Sequence, residues 1–230
     1  MIQYLHFLLL YMNQEPIKAK VINRQMLTDK VLELTIETYT EVKVVPGQWA
    51  MFLFEDEQWP FQRAYSLVDQ DTDNEKTMMI FAIKLLENGR WSATIKKIHI
   101  ADEVTIGGIF WQFTLQDTQL PKVFIWTGVG LVPLINMAKY CTTKKQLFFS
   151  VSTKKDLFYE ERIKKIHGLD YEIHISQESI PGYATWRIDI NKISFDPATE
   201  FYVCWNPQMM DDTVKILKSL WYIHVYFEKF

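Results

Sequence analysis

The feature that most constrains the fold is a change of pattern halfway along the chain, at the polar stretch 116–122 that contains Pro121. Before this stretch, apolar residues form short β-rich runs separated by turn residues. After it, near-continuous apolar runs alternate with glycine turns and helical segments. The chain of 230 residues is also longer than a usual single domain. We therefore predict two domains of different architecture.

The first half is predicted to be an all-β domain with one helix. Its β-rich runs are 17–26, 31–40, 49–54, 64–68, 78–85 and 103–106. The spacing of these runs is typical of a barrel or a sandwich. Within 89–98, Trp91, Ile95 and Ile98 follow helical spacing, so one helix interrupts the strands. We assign residues 17–117 to an antiparallel β-barrel domain and residues 1–16 to an N-terminal extension.

The second half alternates strands with helices. The predicted strands are 122–126, 147–152, 171–175 and 201–204, and the predicted helices are 131–140, 157–166 and 210–220. Near-continuous apolar strands that alternate with helices indicate a parallel sheet covered on both faces. We predict that residues 118–230 form a doubly wound parallel sheet, which binds ligands at the carboxyl ends of its strands.

Composition excludes several classes of function. The formal net charge is −3 and there is no long basic block, which argues against a nucleic-acid partner. Cys141 and Cys204 are the two cysteines, too few for a four-thiolate zinc site or a four-cysteine iron-sulfur cluster. We expect no metal, so any redox chemistry must use an organic cofactor or a partner.

The apolar run 5–12 near the N-terminus is interrupted by His6 and is far shorter than a membrane-spanning helix. It also lacks the basic leader and small-residue cleavage site of a signal peptide. We expect no membrane partner and a cytoplasmic location. Met12 is a candidate biological start, and native protein whose mass begins at Met1 would reject it.

The first motif with chemical content is Arg63-Ala64-Tyr65-Ser66 on a predicted strand. On a strand, Arg63 and Tyr65 point to one face and Ser66 to the other. A guanidinium can hold a diphosphate with two hydrogen bonds, a phenol ring offers a flat wall to a flavin, and a hydroxyl can bond a ring nitrogen. Alone, this tetrapeptide also fits an ordinary amphipathic strand with a surface arginine.

The second motif, Gly89-Arg90-Trp91-Ser92, opens the helix of the first half. A helix N-terminus offers unpaired amides and the positive end of its dipole to a diphosphate, and Ser92 adds a hydroxyl. The alternative is that Ser92 only caps the helix, because serine is common at helix starts.

The third motif, Thr127 to Pro133, lies between the first strand and the first helix of the second half. Gly128 and Gly130 let the backbone approach a phosphate closely, and Pro133 costs no needed hydrogen bond near a helix start. The three spaced glycines of many dinucleotide folds are not present, so this turn has low specificity by itself.

Together, the order and context of these motifs resemble the ferredoxin-NADP reductase family, whose FAD-binding barrel precedes a pyridine-nucleotide domain. The resemblance covers about residues 17–230. It implies cofactor-binding roles for Arg63, Ala64, Tyr65, Ser66, Gly89, Trp91, Ser92, Thr127, Gly128, Gly130, Pro133, Ser152, Lys154 and Phe230. It implies catalytic roles for Ser66 at flavin N5, Cys204 beside the nicotinamide and Glu228 as a proton relay.

The chain also departs from the family pattern. The family's Cys-Gly-Pro reads Cys204-Trp205-Asn206-Pro207, so Trp205 replaces a glycine that allows close backbone approach. The indole either displaces the nicotinamide or stacks on it. The family's Gly-Arg-Ile reads Trp186-Arg187-Ile188, which loses a second glycine.

The predicted function is an FAD-dependent oxidoreductase that takes hydride from NAD(P)H at flavin N5 and passes electrons to a separate acceptor. Candidate acceptors are ferredoxin, flavodoxin or an oxygenase component. Two alternatives stay open: a free-flavin reductase, and a non-catalytic electron-relay or regulatory subunit that retains FAD.

Two finer expectations concern the coenzyme and the C-terminus. Ser152, Thr153 and Lys154 follow the second strand of the second half, where the resemblance places the ribose, and they favour NADPH over NADH. Solvated loop lysines are the alternative. Phe230 is expected to shield the flavin, as the terminal ring does in plant-type relatives, or else to complete the packing of the last strand.

Overall fold

The structure is a computed structural model that describes residues 15–55, 60–111, 113–185, 188–190, 194–205 and 207–229. The expectations for the run 5–12, Met12, Trp186, Arg187, Asn206 and Phe230 lie outside these residues. Contacts divide the chain into two compact units, with the boundary between Trp111 and Gln112. We name them the barrel unit and the sheet unit.

The barrel unit is a closed barrel of six antiparallel strands in the order β1-β2-β5-β4-β3-β6. Its strands are β1 (Ile17–Thr28), β2 (Val31–Thr38), β3 (Trp49–Phe54), β4 (Phe61–Asp73), β5 (Lys76–Lys84) and β6 (Glu103–Phe110). Helix α1 spans Arg90–Lys96 and buries Trp91 and Ile95. The predicted antiparallel barrel with one helix is confirmed.

The interior of the barrel is filled by apolar side chains that alternate along the strands. Ala50 and Phe52 of β3, Leu67 of β4 and Phe81 of β5 are fully buried in one cluster. A second small cluster joins Trp49, Met51 and Phe110. Because successive strand residues point to opposite faces, Trp49 and Met51 lie on the outer face of β3. The outer face of β3 is therefore apolar and buried as well.

The sheet unit contains a six-stranded parallel sheet in the order β10-β9-β8-β7-β11-β12. Its strands are β7 (Lys122–Thr127), β8 (Lys145–Val151), β9 (Leu169–Ile175), β10 (Ala184–Thr185), β11 (Glu200–Trp205) and β12 (Val225–Lys229). The chain runs outward from β7 in one direction and then returns to β11 on its other side. The predicted doubly wound sheet is thus confirmed, with its topological switch point between β7 and β11.

The described residues of the sheet unit form three α-helices: α2 (Leu131–Tyr140), α3 (Glu160–Lys164) and α4 (Pro207–Ser219). On one face, Met210, Val214 and Leu217 of α4 join a core with Val123 of β7 and Val203 of β11. Helix α2 contacts β7, β8 and β11. In the described part of the chain, no helix is long and apolar enough to cross a membrane.

Candidate functional site

The first motif lies on β4, and its residues differ in exposure. Arg63 and Ala64 are exposed, Tyr65 is half-buried and Ser66 is buried. The Arg63 guanidinium donates to the neighbouring Gln62 carbonyl oxygen at 2.7 Å. Among the described residues this is the one hydrogen bond that the guanidinium makes, so its other N–H donors are available to an anionic group. The side chain that the resemblance assigns to a diphosphate is therefore accessible.

Tyr65 is held between two aromatic rings. Its ring stacks on Trp91 of α1, with centroids 5.4 Å apart, and meets Phe52 of the barrel core edge-on at 5.8 Å. Burial raises the pKa of the Tyr65 phenol, and the positive charge of Arg63 opposes this rise only in part. Tyr65 is therefore a rigid, neutral ring at physiological pH.

Ser66 carries a polar group whose hydrogen-bonding capacity is not used. Its residue lies opposite Trp49 of β3, on the outer face that also carries the Trp49–Phe110 stack. The Ser66 hydroxyl oxygen is buried, and it has no hydrogen-bond partner among the described residues. A buried hydroxyl without a partner costs roughly 1 to 3 kcal/mol. This position suits a ligand that supplies the missing hydrogen bond.

The Gly89-to-Ser92 turn is tightly packed. Gly89 precedes α1, and a Cβ atom at Gly89 would lie 3.2 Å from Ser92 Oγ and 3.3 Å from Leu86 Cβ. Ser92 is buried, and its hydroxyl accepts the Leu86 N–H at 2.7 Å. The Trp91 indole N–H is buried and has no partner among the described residues. Ser92 thus shapes the loop before α1, and a diphosphate role for this turn stays a prediction.

The glycine turn of the sheet unit lies at the switch point. Thr127 ends β7, Gly128–Gly130 form a 3₁₀ turn, and Pro133 is buried in the first turn of α2. Gly128 has φ +56°, which other residues rarely adopt, and no described atom lies within 4 Å of its missing Cβ. A Cβ at Gly130 would lie 2.7 Å from the Cys204 carbonyl oxygen. Gly130 therefore allows close packing on β11, while Gly128 borders open space.

Cys204 and Glu228 are neighbours across β11 and β12, where their Cα atoms are in register. Burial raises the pKa of the Cys204 thiol, and the nearby Glu228 carboxylate adds to this effect. Burial also raises the pKa of Glu228 to about 7. One carboxylate oxygen of Glu228 is buried without a partner among the described residues. The pair therefore offers a neutral thiol and a carboxyl that exchanges a proton near neutral pH.

The predicted ribose loop contains Ser152 and Lys154, both exposed after β8. The Lys154 ammonium donates to the Tyr183 hydroxyl, and to Glu160 Oε2 at 2.9 Å. The Lys154 backbone N–H donates to Glu178 Oε2 at 2.7 Å. Lys154 is thus placed at the expected edge of the sheet, but two carboxylates accompany it.

Glu160 and Tyr183 belong to none of the three motifs and were not predicted as site residues. Although burial acts to raise it, hydrogen bonds from Lys154, Lys164 and Tyr183 lower the pKa of Glu160 to about 2. Tyr183 is 29 residues from Lys154 in the sequence. No local motif signals such a contact, because the tertiary fold alone brings these side chains together.

Comparison with solved structures agrees with this fold. The FAD/NAD-binding domain of nitric oxide dioxygenase from Vibrio cholerae matches with a TM-score of 0.85 and 17% identity, covering 94% of this chain and 99% of that domain. A ferredoxin NADP+ reductase from Neisseria gonorrhoeae, solved with bound FAD and NADP, matches with a TM-score of 0.80 and 18% identity, covering 94% and 99% of the two chains.

Comparison with curated proteins gives matches at higher sequence identity but with only partial coverage of the relatives. The anthranilate 1,2-dioxygenase electron transfer component of Acinetobacter baylyi is 25% identical over 222 residues, covering 88% of this chain and 63% of that protein. The chain spans about half the length of other curated relatives that it matches. No family model matches. The resemblance to ferredoxin-NADP reductases is confirmed at the level of the fold: this chain has the fold of their FAD- and NAD-binding domains.

Proposed function

We propose that this chain is an FAD-dependent oxidoreductase that oxidises NADPH or NADH and passes electrons to a separate acceptor. Two observations carry the proposal: the barrel bears a buried Ser66 hydroxyl that has no partner among the described residues, and the sheet has a glycine turn at its switch point. The proposed functional domains are residues 17–117 for the flavin and residues 118–230 for the pyridine nucleotide.

The residues of the barrel unit fit a flavin. Arg63 offers an exposed guanidinium for the diphosphate, and Tyr65 offers a ring already fixed by Trp91. Ser66 offers a hydroxyl that lacks a partner among the described residues. When bound, the flavin supplies the hydride-accepting and electron-storing chemistry that no amino-acid side chain provides. The chain's contribution is to hold and orient it.

The residues of the sheet unit fit a pyridine nucleotide. Gly128 leaves open space beside a turn that leads into α2, where backbone N–H groups are available to phosphate. Cys204 lies next to the last residue of β11, and its raised pKa keeps the thiol uncharged. An uncharged thiol does not repel an electron-rich ring beside it. Glu228 is placed to hold or release a proton near pH 7. The resemblance assigns Cys204 to a place beside the nicotinamide and Glu228 to proton relay near flavin N5.

The acceptor is proposed to be a separate redox protein or an oxygenase component. The Acinetobacter relative is named as the electron transfer component of a dioxygenase, and a Mycolicibacterium smegmatis relative as the reductase component of propane 2-monooxygenase. This chain spans only part of each of them.

Flavin content separates the proposal from one alternative. We expect the purified full-length protein to carry FAD, or to take up FAD on reconstitution, because the barrel unit contains both the Arg63-to-Ser66 motif and the Gly89-to-Ser92 motif. Chromatography of released flavin identifies and counts the cofactor. A colourless protein that turns over added flavin without retaining it would instead indicate a free-flavin reductase.

Replacing Arg63 with alanine is expected to weaken FAD binding by about 10- to 100-fold. The diphosphate would lose a charged, two-point hydrogen bond, for which roughly 1.5 to 3 kcal/mol is the usual scale. Flavin fluorescence during titration of the apoprotein measures the dissociation constant. Arg24→Ala, on β1 of the same barrel, is the control and should leave the constant unchanged. Equal FAD dissociation constants for the Arg63→Ala and Arg24→Ala variants would show that Arg63 does not bind the diphosphate.

Coenzyme choice is proposed to favour NADPH through Lys154. The ammonium must then leave Glu160 and Tyr183 to reach a 2′-phosphate. We expect Lys154→Ala to lower kcat/KM for NADPH several-fold, and Glu160→Gln to raise it, because the second change frees the ammonium. Steady-state kinetics with both coenzymes test this. A higher kcat/KM for NADH that neither variant alters would reject the assignment.

A further inference from the structure

A corner of the sheet unit presents large apolar side chains to solvent. Leu220, Trp221 and Ile223 connect α4 to β12 and are 40%, 88% and 79% exposed. Between them, Tyr222 is buried in the core and its hydroxyl accepts the Phe195 N–H at 3.1 Å. Burying Tyr222 turns its two neighbours outward. It does not explain why these neighbours are tryptophan and isoleucine rather than polar residues.

The backbone at Trp221 makes the residue choice more unusual. Trp221 has φ +67°, in the left-handed region. The Trp221 N–H donates to the Lys218 carbonyl oxygen and the Tyr222 N–H donates to the Leu217 carbonyl oxygen. This is the helix-ending arrangement in which glycine or asparagine is preferred at the left-handed position. A tryptophan is strained there and gains almost no burial in return, which points to a role outside the fold.

Positive charge lies beside the corner. Lys215 and Lys218 are exposed on the last two turns of α4, and neither forms an ion pair with a described residue. The acids of α4, Asp211 and Asp212, lie one turn before Lys215, and both are further along the helix from Trp221 than the two lysines are. On the adjoining loop, Asp196 accepts the Ala198 N–H at 2.8 Å. The corner therefore combines protruding apolar side chains with two exposed lysines that form no ion pair with any residue the structure describes.

We propose that this corner, defined as Lys215, Lys218, Leu220, Trp221 and Ile223, binds the surface of an anionic lipid bilayer. Tryptophan with aliphatic neighbours inserts at the headgroup level, and adjacent lysines are attracted to anionic lipid. A bilayer accepts a protruding tip without needing a complementary shape. This inference is independent of the proposed reductase activity.

Size and position favour a bilayer over a protein partner. The exposed parts of the three apolar side chains amount to an area on the order of 400 Å². Each partner in a stable protein–protein interface contributes about twice as much. The corner also precedes β12, at the amino-terminal end of the parallel strands, whereas the turn at Gly128 lies at their carboxyl end. Binding of the corner to a bilayer would therefore leave the carboxyl ends of the parallel strands, where Gly128 lies, accessible to ligands.

Surface attachment of this kind needs no spanning helix. The expectation of no membrane partner rested on the short apolar run 5–12, whereas the corner is formed by residues that only the fold brings to the surface together. The proposal therefore replaces that expectation for the sheet unit.

Vesicle flotation of the full-length protein tests the proposal. We expect binding to phosphatidylcholine vesicles that contain phosphatidylserine, and at least about tenfold weaker binding for the double variant Trp221→Gly, Ile223→Ser. Glycine suits the left-handed position, so this variant should fold, and its circular dichroism and melting curve are compared with wild type. Lys215→Gln, Lys218→Gln should weaken binding by roughly fivefold per lysine and remove most of the dependence on phosphatidylserine.

Ile100→Ser is the matched control, because Ile100 is 59% exposed on the barrel unit and lies outside the corner. It should bind vesicles as wild type does. Wild-type protein that does not float with anionic vesicles overturns the proposal. Equal binding by wild type and the Trp221→Gly, Ile223→Ser variant also overturns it and assigns lipid binding to another part of the chain. If the wild-type protein is a dimer in solution and the Trp221→Gly, Ile223→Ser variant is a monomer, the corner is a contact between two copies of the chain and the proposal is overturned.

Discussion

Replacing Glu200 with alanine is expected to lower the free energy of unfolding by about 3 to 5 kcal/mol, because it leaves a buried cation without its counter-charge. Lys122 Nζ lies 3.2 Å from Glu200 Oε2, and both side chains are almost completely buried. The Tyr202 hydroxyl also donates to Glu200 Oε2 at 3.2 Å and accepts the Gln116 N–H at 3.0 Å. The variant therefore disrupts a network that joins β7, β11 and the segment before β7.

Urea denaturation measures this loss, and the chain offers a matched control. Glu37 pairs with Lys76 at 2.9 Å on the surface of the barrel unit, so Glu37→Ala should cost no more than about 1 kcal/mol. Adding Lys122→Met to Glu200→Ala should recover part of the loss, because no unpaired charge is then buried. Similar small losses for Glu200→Ala and Glu37→Ala would contradict burial of the first pair.

Replacing Glu228 with glutamine is expected to remove a pH dependence of stability between pH 4.5 and 7. In the folded chain burial raises the pKa of Glu228 from 4.5 to about 7. Within this interval the folded chain keeps a proton that the unfolded chain releases. The free energy of unfolding therefore falls as pH rises, by about 3 kcal/mol in total at 1.36 kcal/mol per pKa unit.

Chemical denaturation at several pH values tests this expectation. Glu228→Gln should be more stable than wild type above pH 7 and similar to it below pH 4.5, since glutamine carries no charge to bury. Glu103→Gln, which removes an exposed partner of Lys18, is the control and should change stability little at any pH. Parallel pH profiles for wild type and Glu228→Gln would show that Glu228 is not buried as described.

Where apolar residues run unbroken, the sequence predicts the bounds of elements well. Strand β3 spans Trp49–Phe54 and helix α2 spans Leu131–Tyr140, both as predicted. In these segments most residues are buried, so the ends of the apolar run coincide with the ends of the element. The change of pattern near residue 116 likewise predicts the change of architecture, because strand and helix periodicities differ.

Elements that extend into solvent are harder to predict. Strand β4 was predicted over 64–68 but spans Phe61–Asp73, because its polar end is stabilised by pairing with β5 rather than by burial. The helix predicted over 157–166 is limited to Glu160–Lys164, and Tyr159 before it has φ +62°. The short strand β10 was not predicted, since two residues carry no periodicity.

In the candidate site, too, local features could be predicted from the sequence and tertiary contacts could not. Its motifs are local, so their residues and elements could be named from the sequence. The partners of those residues could not, because they come from distant segments: Trp91 stacks on Tyr65, and Glu160 and Tyr183 engage Lys154. Three-dimensional contacts of this kind decide whether a side chain such as Lys154 is free to meet a ligand.

Anaerobic reduction of the full-length, FAD-loaded protein is the measurement that tests the proposed function most directly. We expect the flavin absorption bands to bleach on addition of NADPH or NADH, and to return when an electron acceptor is added. A yellow protein that neither coenzyme bleaches would contradict hydride transfer and indicate an electron-relay subunit. A protein that takes up no FAD at all would contradict FAD binding and therefore the proposed function as a whole.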